Sequence, residues 1–166
     1  MRRLVCFVLL LCTFGSGFPQ AGKPRPQFSD YPVQDIYRGK PASPVLNKNQ
    51  RRFRTVIREG AKSKVEFAGH YTIPVFGCGS ACTDFYVVDS ISGRVYDGFV
   101  VAELPGAWLE KHGPENVDRM EFHPNSRLLQ INGCPGETNC GFYDYAMVDG
   151  VGLKLVHKEL LPKEYQ

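Results

Sequence analysis

The fold is decided by two stretches that repeat each other, residues 77–93, GCGSACTDFYVVDSISG, and residues 133–152, GCPGETNCGFYDYAMVDGVG. Each stretch begins with Gly-Cys, has a second cysteine after a short loop, continues with an apolar run and ends at an Asp…Gly turn. The cysteines of the two stretches are offset by 56 and 58 residues. Short apolar runs bounded by glycine and aspartate are typical of β-strands joined by tight turns. The sequence therefore predicts two copies of one β-meander.

The chain around the repeat is also strand-like from residue 64 onward, which predicts a mostly β fold. A weak repeat of this length is typical of β-propeller blades, but two blades cannot close a propeller. We therefore predict two antiparallel blade-like meanders that form a sandwich or one curled sheet; a chance similarity between two β segments is the alternative. The predicted strands are residues 70–76, 84–88, 94–101, 118–123, 127–132, 142–148 and 153–157.

Residues 1–17, MRRLVCFVLLLCTFGSG, carry the pattern of a secretory signal peptide. A basic start at Arg2 and Arg3 precedes the apolar run of residues 4–14, and three small residues follow it. The run is too short to span a bilayer, and no longer apolar run occurs downstream. We therefore expect a periplasmic or extracellular protein that has no transmembrane segment after the signal peptide is removed.

The next two segments differ sharply in composition. Residues 18–46 contain six prolines, which favours an extended strap over a helix. In residues 47–60, Phe53, Val56 and Ile57 have the spacing of one buried helical stripe, which predicts a single N-terminal α-helix. We expect residues 47–166 to form one β-rich domain that begins with this helix.

Removal of the signal peptide leaves four of the six cysteines, namely Cys78, Cys82, Cys134 and Cys140. An even number of cysteines in an exported chain indicates disulfide bonds. Each pair flanks a loop between two predicted strands, so local pairing of Cys78 with Cys82 and of Cys134 with Cys140 is the simplest choice. Cross-pairing between the two repeats is the alternative. A four-thiolate zinc site is disfavoured by the spacing and the oxidising compartment, and we predict neither a metal nor a cofactor.

Positive charge is concentrated in residues 48–64, although the formal net charge of the whole chain is only +3. That segment holds seven basic side chains and one acidic one. Such a run is usually a solvated face, or it packs on an acidic domain. The alternative is a weak contact with an anionic surface through Arg51, Arg52 and Arg54. The net charge is too small to indicate nucleic-acid binding.

No recognised catalytic motif is present, since the sequence lacks HExxH, GxSxG, GxGxxG and a Walker loop. His70 is the best single candidate for acid–base chemistry, with Asp84 as a candidate partner. The alternative is a structural histidine in a strand. Arg127, at the start of a predicted strand, is a candidate for holding an anion, or it pairs with an acid across the sheet.

The first cysteine loop is a candidate binding element. Closure by a Cys78–Cys82 disulfide would make residues 77–83 a rigid projection, and Ser80 and Thr83 are its candidate binding side chains. A projecting, rigid loop is typical of interaction modules and of enzyme inhibitors, whereas an enzyme requires groups that converge in a cleft.

Several motifs together resemble those of a known group of proteins. They are residues 53–55 (FRT), 58–61 (REGA), 67–71 (FAGHY) and 77–82 (GCGSAC). The chain resembles a group of exported bacterial proteins with the pattern FAGHYxxxxxGCGxxC, followed by a strand and a Val-Asp turn. The resemblance covers about residues 36–160; the chain departs from the pattern at Phe76, where tryptophan is frequent, and in its second cysteine pair. The resemblance implies a location in the bacterial envelope and no particular activity.

The sequence therefore favours a binding or interaction protein of the bacterial cell envelope, stabilised by disulfides, whose partner is an envelope protein or polymer. The alternative is a small envelope hydrolase or a hydrolase inhibitor. An enzyme is disfavoured because no set of acid, base and nucleophile is recognisable in the sequence.

Overall fold

The computed structural model describes residues 24–113 and 117–166. The predicted signal peptide, residues 1–17, and the first residues of the predicted strap lie outside the described residues. The described chain is mostly β, as predicted, with nine strands in one open antiparallel sheet and two short α-helices. Within these ranges no helix has the length and hydropathy needed to cross a membrane.

The strands follow the predicted order along the chain, but the predicted strand 94–101 is divided into two short strands, β4 and β5. They are β1 (Tyr71–Thr72), β2 (Val75–Gly79), β3 (Cys82–Asp89), β4 (Val95–Asp97), β5 (Val101–Ala102), β6 (Met120–Phe122), β7 (Leu128–Pro135), β8 (Gly141–Val148) and β9 (Gly152–Leu160). The predicted strand 70–76 is divided in two, and both parts pair with β3. The break falls at Ile73 and Pro74 because proline has no backbone N–H to donate to a ladder.

The sheet consists of two meanders that are joined by one short strand. β1 and β2 pair with one edge of β3, and β4 with its other edge. β6, β7, β8 and β9 pair in that order in the second meander. β5 joins them, because Ala102 pairs with Cys82 of β3 on one side and with Cys134 of β7 on the other. The predicted pair of meanders is thus one continuous sheet.

The internal repeat corresponds to two equivalent hairpins, β2–β3 and β7–β8. Each hairpin has a disulfide at its loop, Cys78–Cys82 in the first and Cys134–Cys140 in the second. The predicted local pairing of the cysteines is therefore confirmed. Each hairpin ends at the aspartate of the repeat, since β3 ends at Asp89 and β8 ends immediately before Asp149.

The main core lies where the two meanders pack on each other. Side chains from the first meander include Phe85 and Val87, and those from the second include Leu129, Ile131 and Met147, each at most 1% exposed. Burial of large apolar side chains in one cluster provides the dominant stabilising term. The sheet therefore curls so that its two halves share one core.

The helix predicted over residues 47–60 begins later than expected. Residues Gln50–Phe53 form a 3₁₀ turn, and α1 covers Arg54–Gly60. Ile57 is fully buried against Tyr86 and Val88 of β3, which confirms the predicted inward face. A second helix, α2 (Gly106–His112), buries Trp108 in a small cluster beside the second disulfide.

The strap is extended apart from a 3₁₀ turn at Phe28–Asp30, and it is attached to the domain over its described length. Pro32 bridges to Ser126, and Val45 bridges to Arg94. Arg25, near the start of the described strap, contacts a buried carboxylate in β8. Contacts with both meanders position the strap across the sheet.

Candidate functional site

His70 lies in a cleft formed by turns of both repeats. Its imidazole Nε2 is 4.0 Å from Asp89 Oδ1 and 3.9 Å from Asp149 Oδ1, just beyond hydrogen-bond distance. The His70 side chain is 24% exposed, so a ligand can reach it. The cleft therefore contains one histidine between two carboxylates.

The two aspartates occupy equivalent positions in the repeat. Asp89 ends β3 in the sequence Val-Val-Asp, and Asp149 follows β8 in Met-Val-Asp. The curling of the sheet brings these two turns to the same place, beside the residue that precedes β1. The sequence predicted Asp89 and Asp149 only as turn residues. Their equivalent positions in the repeat were the one sequence feature that related them to each other.

Tyr71 fixes the position of Asp149. The buried phenol donates a hydrogen bond of 2.8 Å to Asp149 Oδ1. Burial, and then the hydrogen bond to Asp149, raise the pKa of Tyr71 above its ordinary value. The phenol therefore stays protonated as a donor at every pH at which the domain is expected to work, and Tyr71 acts as a positioning group rather than as a base.

The cleft extends on both sides of His70. One side has a volume of about 640 Å³ and includes Arg94 and Tyr96 in its lining. The other side has a volume of about 540 Å³ and includes Arg127. Each side also holds two carboxylates, Asp89 and Asp149 on the first and Asp35 and Asp149 on the second, so the polar groups suit a hydroxyl-rich ligand beside the imidazole. Arg127, a predicted anion-binding residue, thus lies near His70.

Asp84 is placed away from His70. It lies near the start of β3, where its Oδ1 accepts a hydrogen bond from the Phe85 backbone N–H. His70 adjoins the other end of the same strand, because Tyr71 pairs with Asp89. Asp84 and Asp89 are five positions apart on β3, a distance of about 17 Å. The carboxylates beside His70 are therefore Asp89 and Asp149, and Asp84 is not its partner.

The two disulfide-closed loops, residues 77–82 and 134–140, form a second candidate site. They lie side by side at one end of the sheet, because β5 pairs with both Cys82 and Cys134. Ser80 is exposed in the first loop, and Thr138 is exposed in the second. Each loop is closed by a disulfide and anchored on a hairpin, so both are rigidly displayed.

Thr83 is partly buried at this end of the sheet, where its hydroxyl has a partner within the chain. Arg119 Nη1 donates a hydrogen bond of 2.5 Å to Thr83 Oγ1. The same guanidinium lies 3.8 Å from a Glu103 carboxylate oxygen. Arg119 and Glu103 thus connect the first loop with the chain next to β5 and β6.

The three arginines predicted to contact an anionic surface are all exposed. Arg51 and Arg52 belong to the 3₁₀ turn before α1, and Arg54 is the first residue of α1. The Arg52 guanidinium lies 5.7 Å from the centre of the Phe53 ring. Their exposure is compatible with a solvated helix face as well as with a surface contact.

A buried ionic cluster lies outside both candidate sites. Asp144 of β8 is fully buried, with Arg25 Nε at 3.0 Å and His157 Nδ1 at 2.9 Å from its carboxylate oxygens. Gln130 of β7, the register partner of Asp144, donates a hydrogen bond to the Pro26 carbonyl. The cluster attaches the strap to the second meander, which is a structural role. Among the described residues no group of three or more potential ligands is arranged for a metal ion.

Comparison of the chain with models of protein families, with curated proteins and with solved structures finds no match.

Proposed function

We propose that this protein is an exported, disulfide-stabilised binding protein of the bacterial cell envelope, acting in the periplasm or outside the cell. Its partner is an envelope protein or polymer. The observation that carries the proposal is the position of the two disulfide-closed loops, side by side at one end of the sheet. Rigid exposed loops lose little conformational entropy when they bind, which favours affinity.

The location is inferred from two features. The signal-like residues 1–17 predict export, and two disulfides are consistent with an oxidising compartment. The motifs of the exported bacterial group support the envelope in particular.

Bulky residues at the loop tips test the proposal. We expect a protein carrying Ser80→Trp and Thr138→Trp to lose about tenfold or more of its binding to purified bacterial envelope fractions, because both tips would be blocked. Cosedimentation with membrane vesicles and with cell-wall sacculi measures this binding. Ile91→Trp is the matched control, since Ile91 is 55% exposed in the turn at the other end of β3. Equal binding of the loop variant and the control would contradict the proposal.

A small envelope hydrolase is the second candidate function, and the convergence of Asp89 and Asp149 on His70 favours it. In such an enzyme His70 would transfer protons to and from a substrate held in the cleft. The alternative of a hydrolase inhibitor would use the disulfide-closed loops instead.

Substitution of His70 tests the hydrolase. If the protein hydrolyses fluorogenic peptide, ester or glycoside substrates, His70→Asn should reduce kcat by about 100-fold, because general acid–base catalysis contributes that much. His123→Asn, at a histidine outside the cleft whose ring lies beside Glu121, is the control and should keep full activity. Absence of turnover that depends on His70 would leave the cleft as a binding site alone.

A further inference from the structure

A basic groove separates the strap from the end of α1. Two adjoining clefts, of about 480 and 440 Å³, share Pro41 and Lys62 in their linings. The side of the groove that the strap forms is held in place by backbone hydrogen bonds. One of them, of 2.7 Å, runs from Tyr37 N to Gly69 O. The groove is thus a preformed feature of the domain surface.

The charge of the groove is of one sign. The lining contains no aspartate or glutamate, and it contains five basic residues, Arg38, Lys40, Arg58, Lys62 and Lys64. Among the described residues, only Lys62 of these five has a carboxylate within 4.0 Å, that of Glu59. Four cations therefore face the groove without an ion-pair partner in the described chain. Clustered cations in a concave site concentrate the potential that attracts anions.

A buried hydroxyl provides independent support for a ligand. Ser90 is part of the groove lining and is only 2% exposed. Its Oγ has no hydrogen-bond partner among residues 24–113 and 117–166, although its backbone carbonyl accepts from Ala42 N. A buried hydroxyl without a partner is costly, and a ligand acceptor in the groove would remove that cost.

We propose that this groove binds an acidic polysaccharide, in addition to the partner of the disulfide-closed loops. Carboxylate, sulfate or phosphate groups of the chain would pair with the five cations. Sugar rings would contact the apolar parts of the lining, which include Ile36, Pro41 and Val65. Two clefts in succession suit several units of a polymer better than a single small anion.

Two other anionic partners fit the groove less well. A membrane surface is flat on the scale of a small domain, whereas these cations line a concavity. Single-stranded nucleic acid is held mainly by stacking of bases on aromatic side chains. The lining has one aromatic residue, Tyr37, whose hydroxyl donates to the Lys40 carbonyl.

Two charge-reversed variants, one inside the groove and one outside it, test the proposal. The probe is a heparin-derived octasaccharide. We expect Lys40→Glu, Arg58→Glu and Lys64→Glu together to weaken octasaccharide binding about tenfold or more. The matched control is Arg51→Glu, Arg52→Glu and Arg54→Glu, which changes the net charge equally outside the groove and should weaken binding by less than about threefold. Fluorescence polarisation at about 0.05 M and about 0.3 M NaCl measures both, and thermal melting verifies that each variant is folded.

Ser90→Ala tests whether the Ser90 hydroxyl contributes to octasaccharide binding without any change in the charge of the groove. We expect it to weaken octasaccharide binding several-fold without lowering the melting temperature, since the Oγ has no partner among the described residues. Equal losses in the two charge-reversed proteins would overturn the proposal, because net charge would then account for binding. Tighter binding to phosphatidylglycerol vesicles or to single-stranded DNA than to the octasaccharide would also overturn it.

Discussion

Replacement of Asp144 by alanine is expected to lower the free energy of unfolding by about 3–5 kcal/mol. The Asp144 carboxylate is fully buried and holds both Arg25 Nε, at 3.0 Å, and His157 Nδ1, at 2.9 Å. Its removal leaves the Arg25 guanidinium in a partly buried position without its partner, which is a large desolvation penalty. Urea denaturation of the variant and the unchanged protein measures the difference.

Glu59→Ala is the matched control for this prediction. Glu59 also forms a short ion pair, 2.7 Å from Lys62 Nζ, but both side chains are more than 60% exposed. An exposed pair contributes little, so we expect a change of at most about 0.5 kcal/mol. Similar effects of the two substitutions would show that burial of Asp144 is unimportant. Hydrogen exchange at the Val33 amide, which donates to Asn125 O, should also become faster only in the Asp144 variant, because the strap loosens.

Gly133→Ala is expected to lower the free energy of unfolding by about 3 kcal/mol, the upper end of the cost of overpacking. A Cβ at Gly133 would lie 2.5 Å from Ala102 O and 2.7 Å from Val101 Cγ1. The backbone of β5 cannot move away easily, because β5 pairs with β3 on its other side. The substitution therefore pushes apart the strands that join the two meanders.

The repeat supplies the control for this experiment. Gly77 occupies the same Gly-Cys position in the first repeat, but a Cβ there would have no atom within 4 Å. We expect Gly77→Ala to change the free energy of unfolding by no more than about 0.5 kcal/mol, as for an exposed site. Thermal and urea denaturation of both variants distinguish the outcomes. Equal costs at Gly77 and Gly133 would be incompatible with the described packing of β5.

Local sequence patterns predicted the mostly β fold, because strands and turns depend on nearby residues. Alternating apolar runs and Asp…Gly turns placed the ends of the long strands β3, β7 and β8 within about three residues. The short spacing within each Gly-Cys motif predicted the local disulfides. The helix was predicted to begin too early, because residues Gln50–Phe53 form a 3₁₀ turn that the spacing of apolar residues does not reveal.

The candidate site was only partly predictable. His70 and Arg127 were identified from residue type and position, and they do line one cleft. The expected partnership with Asp84 was wrong, because proximity to a cysteine in the sequence says nothing about which end of a strand faces a histidine. Asp89 and Asp149 are 60 positions apart, and the curl of the sheet alone brings them together.

The sequence by itself determined the local elements of this protein, namely its strands, its turns and the two disulfide-closed hairpins. Those features depend on backbone preferences and on cysteines a few residues apart. Tertiary structure alone decided that β5 joins the two meanders and that Arg25 forms an ion pair with Asp144. It also decided that the strap and α1 enclose a basic groove. These contacts join residues far apart in the chain, and they form because both halves of the sheet bury one apolar core.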